Sequence, residues 1–228
     1  MLPALLRVDP KLAVRVSIDG LDGTHDTIRG IPGGFKKCVD TLELCRAAGV
    51  TDLGIGLTLL AQNVHELDAV HRFAEERRLQ LSITVATDSA IYFGAGKESL
   101  RPRDSHAVRQ AFGRVIDVQL HKWDLKENFR GWFNRTLLEY HETGKRPFVC
   151  DAASGFFYMD SFANVYSCHI LNERIGNLAT QTWEELWGSP DAARCRTIAA
   201  QCDKCWLVCT GKAQIWQHKW QVGGAILR

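Results

Sequence analysis

Eight cysteines in a chain of 228 residues constrain this sequence most, because six of them fall at or beyond residue 150 and five of those have a telling spacing. Cys150 and Cys168 are separated by 17 residues, and after a gap of 33 more, Cys202, Cys205 and Cys209 form a C-x2-C-x3-C run. The opening stretch Met1-Leu-Pro-Ala-Leu-Leu-Arg-Val8 is too short for a secretory signal. Reduced thiols in a cytoplasmic setting are therefore expected, with metal chemistry rather than a disulfide framework. A C-x2-C turn lets two sulfurs reach one ion, and Cys150 and Cys168 would supply the opposite side. Four such thiolates suit tetrahedral Zn2+ and a [4Fe–4S] cluster equally, so spacing alone leaves the two level. Cys209 is a fifth thiol, an alternative ligand or a spare. Cys195 lies in an expected helix and Cys38 and Cys45 share one helical face, so these three are read as packing residues.

The first two thirds carry a different pattern. Residues 12–18 alternate as a strand and end at Asp19-Gly20. Residues 35–48 read as a helix stopped by Gly49, with Cys38, Leu42 and Cys45 on one face. Residues 53–60 form a short apolar run, expected as a buried strand. Residues 64–78 form an amphipathic helix with Leu67, Val70, Phe73 and Ala74 inward, and 79–86 a third strand. Strand–helix–strand–helix–strand predicts a parallel sheet built from βαβ units. A loop at 92–103 and helices at 104–121 and 125–143 follow. Gly144-Lys-Arg-Pro147 breaks the chain, placing a domain boundary between 1–145 and 146–228. Beyond it, 155–160 and 164–168 suit a hairpin, and 182–187 and 189–200 suit helices, the second capped by Ser189-Pro190. A sheet of three strands leaves a bare edge that must be covered or paired.

Net charge is +2, which gives no case for nucleic acid or a membrane surface, and no apolar run reaches the roughly 18 residues needed to span a bilayer. Arg194, Arg196, Lys204 and Lys212 could offset a multi-thiolate charge, and Trp183, Trp187, Trp206 and Trp216 could shield it from water. Acid–base candidates are sparse: Asp151 and Asp160 flank the hairpin, Asp117 and Asp124 lie among the helices, and His169 follows Cys168. Gly30-x-x-Gly33-Gly34 before a helix is either a phosphate cradle or a turn. Asn63 stands where a helix N-cap would.

Two groups of residues resemble a known family. Val14-Arg-Val-Ser-Ile-Asp-Gly20, Thr24-His-Asp-Thr-Ile-Arg-Gly30 and Gly33-Gly-Phe35 resemble the fourth strand and following turn of radical S-adenosylmethionine enzymes. Cys150, Cys168, Ile175-Gly-Asn-Leu178, Trp183-Glu-Glu-Leu-Trp-Gly-Ser189 and Cys202-Asp-Lys-Cys205 resemble their C-terminal SPASM or twitch module. The resemblance covers nearly the whole chain, in the family's order. It implies an α/β fold: the C-terminal half of a partial (β/α)6 barrel with three parallel strands, then a small α+β auxiliary-cluster domain. It also implies that Cys150, Cys168, Cys202, Cys205 and Cys209 bind an auxiliary [4Fe–4S] cluster. Ser17 would lie near the ribose or aminocarboxylate of S-adenosylmethionine, Asp19 would shape the turn or the polar rim, and Arg29 would face a carboxylate. The substrate implied is a peptide or small metabolite, and the electron donor a flavodoxin or ferredoxin.

The departures are equally specific. The family's C-x3-C-x2-C motif, which holds the catalytic cluster, is absent, and so is its glycine-rich segment after the second strand. The chain begins where the family's fourth strand begins, so it is expected to be the C-terminal part of such an enzyme. It would use S-adenosylmethionine only together with the N-terminal half and would not cleave it alone. The family's glycine five residues before the second module cysteine is Ala163 here, which predicts an altered hairpin bend. The competing reading is a zinc-stabilised binding domain held by Cys150, Cys168, Cys202 and Cys205, or an accessory chain docking on a catalytic partner through its bare sheet edge.

Overall fold

The computed structural model describes residues 2–86 and 100–226. Most of the expected loop at 92–103 therefore lies outside the described residues. The chain divides into two compact units, one comprising residues 2–86 and 100–138 among those described and the other 139–226.

The first unit opens with helix α1 (Leu2–Val8), followed by strand β1 (Ala13–Ser17), helices α2 (Asp22–Arg29) and α3 (Gly34–Ala47), and strand β2 (Asp52–Leu59). A 3₁₀ turn (Val64–Glu66) leads into α4 (Leu67–Glu76), then β3 (Gln80–Val85). The three strands form one parallel sheet in the order β1-β2-β3, with Val14 opposite Leu53, Ser17 opposite Gly56, and Leu57 opposite Ile83. The central strand is apolar along its length because both of its faces are covered, and Ile55, Leu57 and Leu59 are almost wholly buried. β3 alternates buried and half-buried positions, whereas no β1 side chain is buried. Among the described residues β1 has only β2 as a strand neighbour, so the bare edge expected from the sequence is present.

Leu67, Val70, Phe73 and Ala74 of α4 face the core as their spacing predicts, together with His71. In α3, Leu42 and Cys45 are buried and Cys38 is half-buried. α5 (Ser105–Leu120) is capped by Asp104, whose side chain accepts the His106 and Ala107 N–H groups, and it buries Val108, Phe112 and Val115. α6 (Leu125–Thr143) begins at Asp124, which accepts from Lys126 and Glu127, so Asp124 is a cap and not an acid–base group. The segment 22–29, expected as part of a turn, is helical. Its sequence is short and polar on average, and His25 is its one buried side chain.

The second unit holds a small antiparallel sheet, β4 (Tyr158–Met159), β5 (Asn164–Tyr166) and β6 (Arg174–Asn177), in that order. The hairpin was expected and its third strand was not. α7 (Trp183–Trp187) starts with a Thr182–Glu185 capping box, and α8 (Pro190–Ala200) with Ser189 accepting the Ala192 N–H at 3.1 Å. Val165, Ile175, Leu186, Ala192 and Cys195 form the core between this sheet and the two helices. Helices α9 (Val208–Gln217) and α10 (Lys219–Ile226) close the described chain. No helix among the described residues is long and apolar enough to cross a membrane.

Candidate functional site

The C-terminal ends of β1 and β2 are fastened by buried side chains. Asp19 is 2% exposed. Its Oδ1 accepts the Thr58 N–H at 2.8 Å and its Oδ2 lies 2.5 Å from Nη2 of Arg29. Its own N–H donates to Nδ1 of His25 at 3.1 Å, and its carbonyl accepts from Nδ2 of Asn63 at 2.7 Å. Asn63 is not a helix cap. Its amide also donates to the Thr58 carbonyl at 2.9 Å and accepts the Leu60 N–H at 2.7 Å, all away from water. Glu66 accepts the Leu21 N–H at 2.7 Å and the Thr24 hydroxyl. A Cβ at Gly20 would lie 2.7 Å from Thr24 Cγ2 and 2.8 Å from Glu66 Oε2, so this turn requires glycine.

Of the three expected residues, Asp19 and Arg29 belong to this knot and Ser17 stands beside it. Asp19 is fully engaged inside the protein and acts as the anchor of the turn. Arg29, with a side chain 41% exposed, is held by Asp19 and keeps part of its guanidinium open to solvent. Ser17 is exposed at the end of β1, where parallel sheets place ligands. The Gly30–Gly34 segment is a turn, not a phosphate cradle. Asp26 takes the Gly33 N–H at 2.5 Å and the Phe35 N–H at 2.8 Å, and these bonds hold its carboxyl below the ordinary carboxylate range.

In the second unit the fold brings together four thiols from three separate stretches of the sequence. Cys150 and Cys168 pack with Ala152, Leu171 and Ala199, and Cys202 packs against that cluster. Cys205 lies within electrostatic reach of Cys150, Cys168 and Cys202. The Ile170 and Leu171 N–H groups point at the Cys168 sulfur at 3.4 and 3.2 Å. The Cys202–Cys205 turn is pinned through Asp203, which accepts the Arg146 N–H and the Lys145 ammonium, each at 3.0 Å, and whose carbonyl takes the Tyr140 hydroxyl at 2.9 Å. Burial pushes the Cys150 thiol up and the Cys205 thiol up to about 12, against the pull of Arg146. Burial therefore favours the neutral thiol at both positions.

The donor set fits a metal or cluster: four gathered thiols, backbone N–H groups aimed at sulfur, and one guanidinium. The array is not closed. Among the described residues no three His, Cys, Asp or Glu side chains already stand as a ligand set. Neutral thiols pack as small apolar groups, and closing on a metal needs their deprotonation. The side chain of Cys209 lies outside the described residues. Cys195 is buried in the core beside α8, with its thiol near the Glu173 carbonyl at 3.8 Å.

Several expected partners are engaged elsewhere. Arg194 pairs with Glu173 and Asp191, and Arg196 donates to the Ala153 and Trp187 carbonyls. Lys204 and Lys212 are exposed. Trp206 is fully buried, Trp183 stacks on Trp187, and Trp216 is 66% exposed. Asp160 closes the hairpin turn, accepting from Phe162, Asn164 and Tyr166. Asp117 lies on the solvent face of α5 beside His121. The oxygens of Asp151 are buried without a hydrogen-bond partner among the described residues, and burial pushes its carboxyl up. Burial also lowers His169 toward the neutral ring.

No protein-family model matches the chain. It is 24% identical over 212 residues to the sporulation killing factor maturation protein SkfB of Bacillus subtilis (strain 168), covering 90% of this chain and 46% of that one. It is 25% identical over 192 residues to the AdoMet-dependent heme synthase of Methanosarcina barkeri (strain Fusaro / DSM 804), covering 78% of this chain and 54% of that one. A solved structure of native anSMEcpe with bound AdoMet superposes with a TM-score of 0.62 at 17% identity, covering 99% of this chain and 71% of that one. The same protein with AdoMet and the Kp18Cys peptide gives a TM-score of 0.59 at 16% identity, again covering 99% and 71%.

The chain is a relative of the radical SAM/SPASM enzymes. It spans about half the length of the curated relatives it matches. The expected α/β class holds for this radical SAM/SPASM relative, with three parallel strands in one sheet and a fold shared with anSMEcpe. Sequence reasoning missed Asn63, Glu66 and His25 as builders of the turn, and Arg146 as the cation beside the thiols. A signal for Arg146 was present in its position, four residues before Cys150.

Proposed function

We propose that this chain supplies part of an S-adenosylmethionine site and an auxiliary [4Fe–4S] site to a radical SAM/SPASM enzyme acting on a peptide substrate. Cys150, Cys168, Cys202 and Cys205 would hold the cluster, with Cys209 as the remaining thiol. Ser17 would offer its hydroxyl to S-adenosylmethionine, and Arg29, steadied by Asp19, would meet its carboxylate. A bound auxiliary cluster supplies a one-electron acceptor near the substrate. The protein's part is to fix the thiols, exclude water through Trp206 and the Cys150–Leu171 packing, and hold the end of the sheet rigid. A cytoplasmic flavodoxin or ferredoxin would be the electron donor of the whole enzyme. Peptide is favoured over small metabolite because SkfB matures a killing factor and anSMEcpe is solved with a peptide.

The observation that carries this reading is the convergence in one nest of four thiols from three separate stretches of the sequence. Anaerobic reconstitution with iron and sulfide tests it. The expected product is brown, with about four irons per chain and broad absorbance near ~400 nm. Cys168→Ser and Cys205→Ser are expected to lose the iron, whereas Cys45→Ser and Cys195→Ser keep it. A colourless chain that takes up one zinc and refuses iron would sink the reading in favour of a zinc-stabilised domain.

A further inference from the structure

Among the described residues, Arg146 is the cation that acts on both Cys150 and Cys205. Its Nη1 donates to the Cys205 carbonyl at 2.5 Å and reaches the Cys205 sulfur at 3.7 Å. Its Nη2 donates to Oε1 of Gln214 at 2.6 Å and its Nε to the Phe148 carbonyl at 3.2 Å. The guanidinium also lies 5.3 Å over the ring of Trp206, which is fully buried. Gln214 is itself 1% exposed and is tied in turn to the Val149 carbonyl. Every edge of the planar fork is therefore occupied by a fixed partner, and one corner faces a metal-ligand candidate. A lysine could supply the charge at this position but not the geometry.

We infer that Arg146 is a positioning residue that sets the reduction potential of the auxiliary cluster. This rests on the cluster assignment above. A thiolate-bound cluster gains one negative charge on reduction, and no bond to the protein forms or breaks. A fixed cation with an N–H directed at a ligand sulfur stabilises the more negative state, and burial keeps water from screening it. The strength of a charge-assisted hydrogen bond puts the bias at about tenfold in the reduced-to-oxidised ratio, which is about 59 mV for one electron.

The test uses the reconstituted chain and its Arg146→Gln and Arg146→Lys variants. Iron and sulfide are counted first. The cluster is then titrated anaerobically with titanium(III) citrate, each Ti(III) giving one electron and becoming Ti(IV), while the signal of the reduced cluster is followed by EPR. Arg146→Gln is expected to need a potential about 59 mV lower for half-reduction, with Arg146→Lys between it and the wild type. An iron-loaded Arg146→Gln with the wild-type potential overturns the inference and leaves the cluster assignment standing. A wild-type chain that binds zinc and no iron overturns the assignment, and the inference with it. Should Arg146→Gln fail to load, wild-type protein labelled with 15N-arginine decides. Pulsed EPR of its reduced cluster should show a 15N coupling, and absence of that coupling overturns the role of Arg146.

Discussion

Ala163 sits in the hairpin turn between β4 and β5 with φ +61°, in the left-handed region that favours glycine. The turn holds it there. Its N–H donates to the Asp160 carbonyl at 3.1 Å, its carbonyl accepts the Leu178 N–H at 2.9 Å, and the Asp160 side chain takes the Phe162 and Asn164 N–H groups on either side. The alanine thus takes a left-handed conformation that glycine would adopt without strain. A non-glycine residue in this region costs about 1–2 kcal/mol. Glycine returns part of that relief, about 0.4–1 kcal/mol, through the greater freedom of its unfolded chain. Ala163→Gly should therefore stabilise the second unit by about 0.5–1 kcal/mol. Urea unfolding of the reduced, metal-free chain, followed by tryptophan fluorescence, would show the midpoint rising by about 0.5 M at an unchanged slope. Ala163→Val is the control and should destabilise, because a β-branched side chain fits this region worse than alanine. A midpoint for Ala163→Gly at or below that of the wild type would refute the reasoning.

Two further outcomes are expected of the first unit. A Cβ at Gly54 would stand 2.4 Å from the Gln80 carbonyl oxygen in the neighbouring strand, so Gly54→Ala should lower stability by about 1–3 kcal/mol in the same denaturation assay. Burial lowers His25 from its ordinary 6.5, and its Nδ1 accepts the Asp19 N–H, which leaves the proton of the neutral ring on Nε2. The unfolded chain therefore takes up a proton before the folded one does. The stability this neutral ring lends is full above pH 6.5 and is lost as pH falls toward the depressed folded value. NMR of 15N-histidine-labelled protein should find the ring neutral with Nε2 protonated at pH 6.5, and His25→Gln should flatten the acid limb of the stability profile.

What could be read from the sequence follows how local each signal is. β2 was legible as a short continuous apolar run, and α4 because its apolar spacing matches one period over ten residues. α2 was not, since a helix of eight mostly polar residues that buries one histidine offers too few apolar positions to stand out. The four module cysteines were legible from spacing, because a C-x2-C turn is a local unit. The groups that orient them were not. Arg146 meets Cys205 across 59 residues, and Asn63 meets Asp19 across 44. Asn63 illustrates the difficulty: its place before a helix suggests a local cap, and only the packed turn shows that its amide is already committed to two strand ends.

The two candidate sites share a construction that bears on how each would take its ligand. At the end of the sheet, the buried carboxylate of Asp19 holds a turn and positions the part-exposed Arg29. Around the thiols, Asp203 pins the Cys202–Cys205 turn to Arg146, whose guanidinium points at sulfur. At the sheet end the carboxylate holds backbone and Arg29 together, whereas around the thiols Asp203 holds the Arg146 backbone and the Cys205 and Phe148 carbonyls with Gln214 orient the guanidinium, so each cation is oriented before any ligand arrives. Orienting a long side chain on binding costs about 0.5–1.5 kcal/mol, and a fixed one avoids that loss. The contrast lies in the ligand atoms. Arg29 needs no change of protonation to meet an anion, whereas Cys150 and Cys205 must each release a proton held by burial. Metal loading of the thiols, followed as iron uptake at several pH values, should therefore be slow in acid and faster as pH rises.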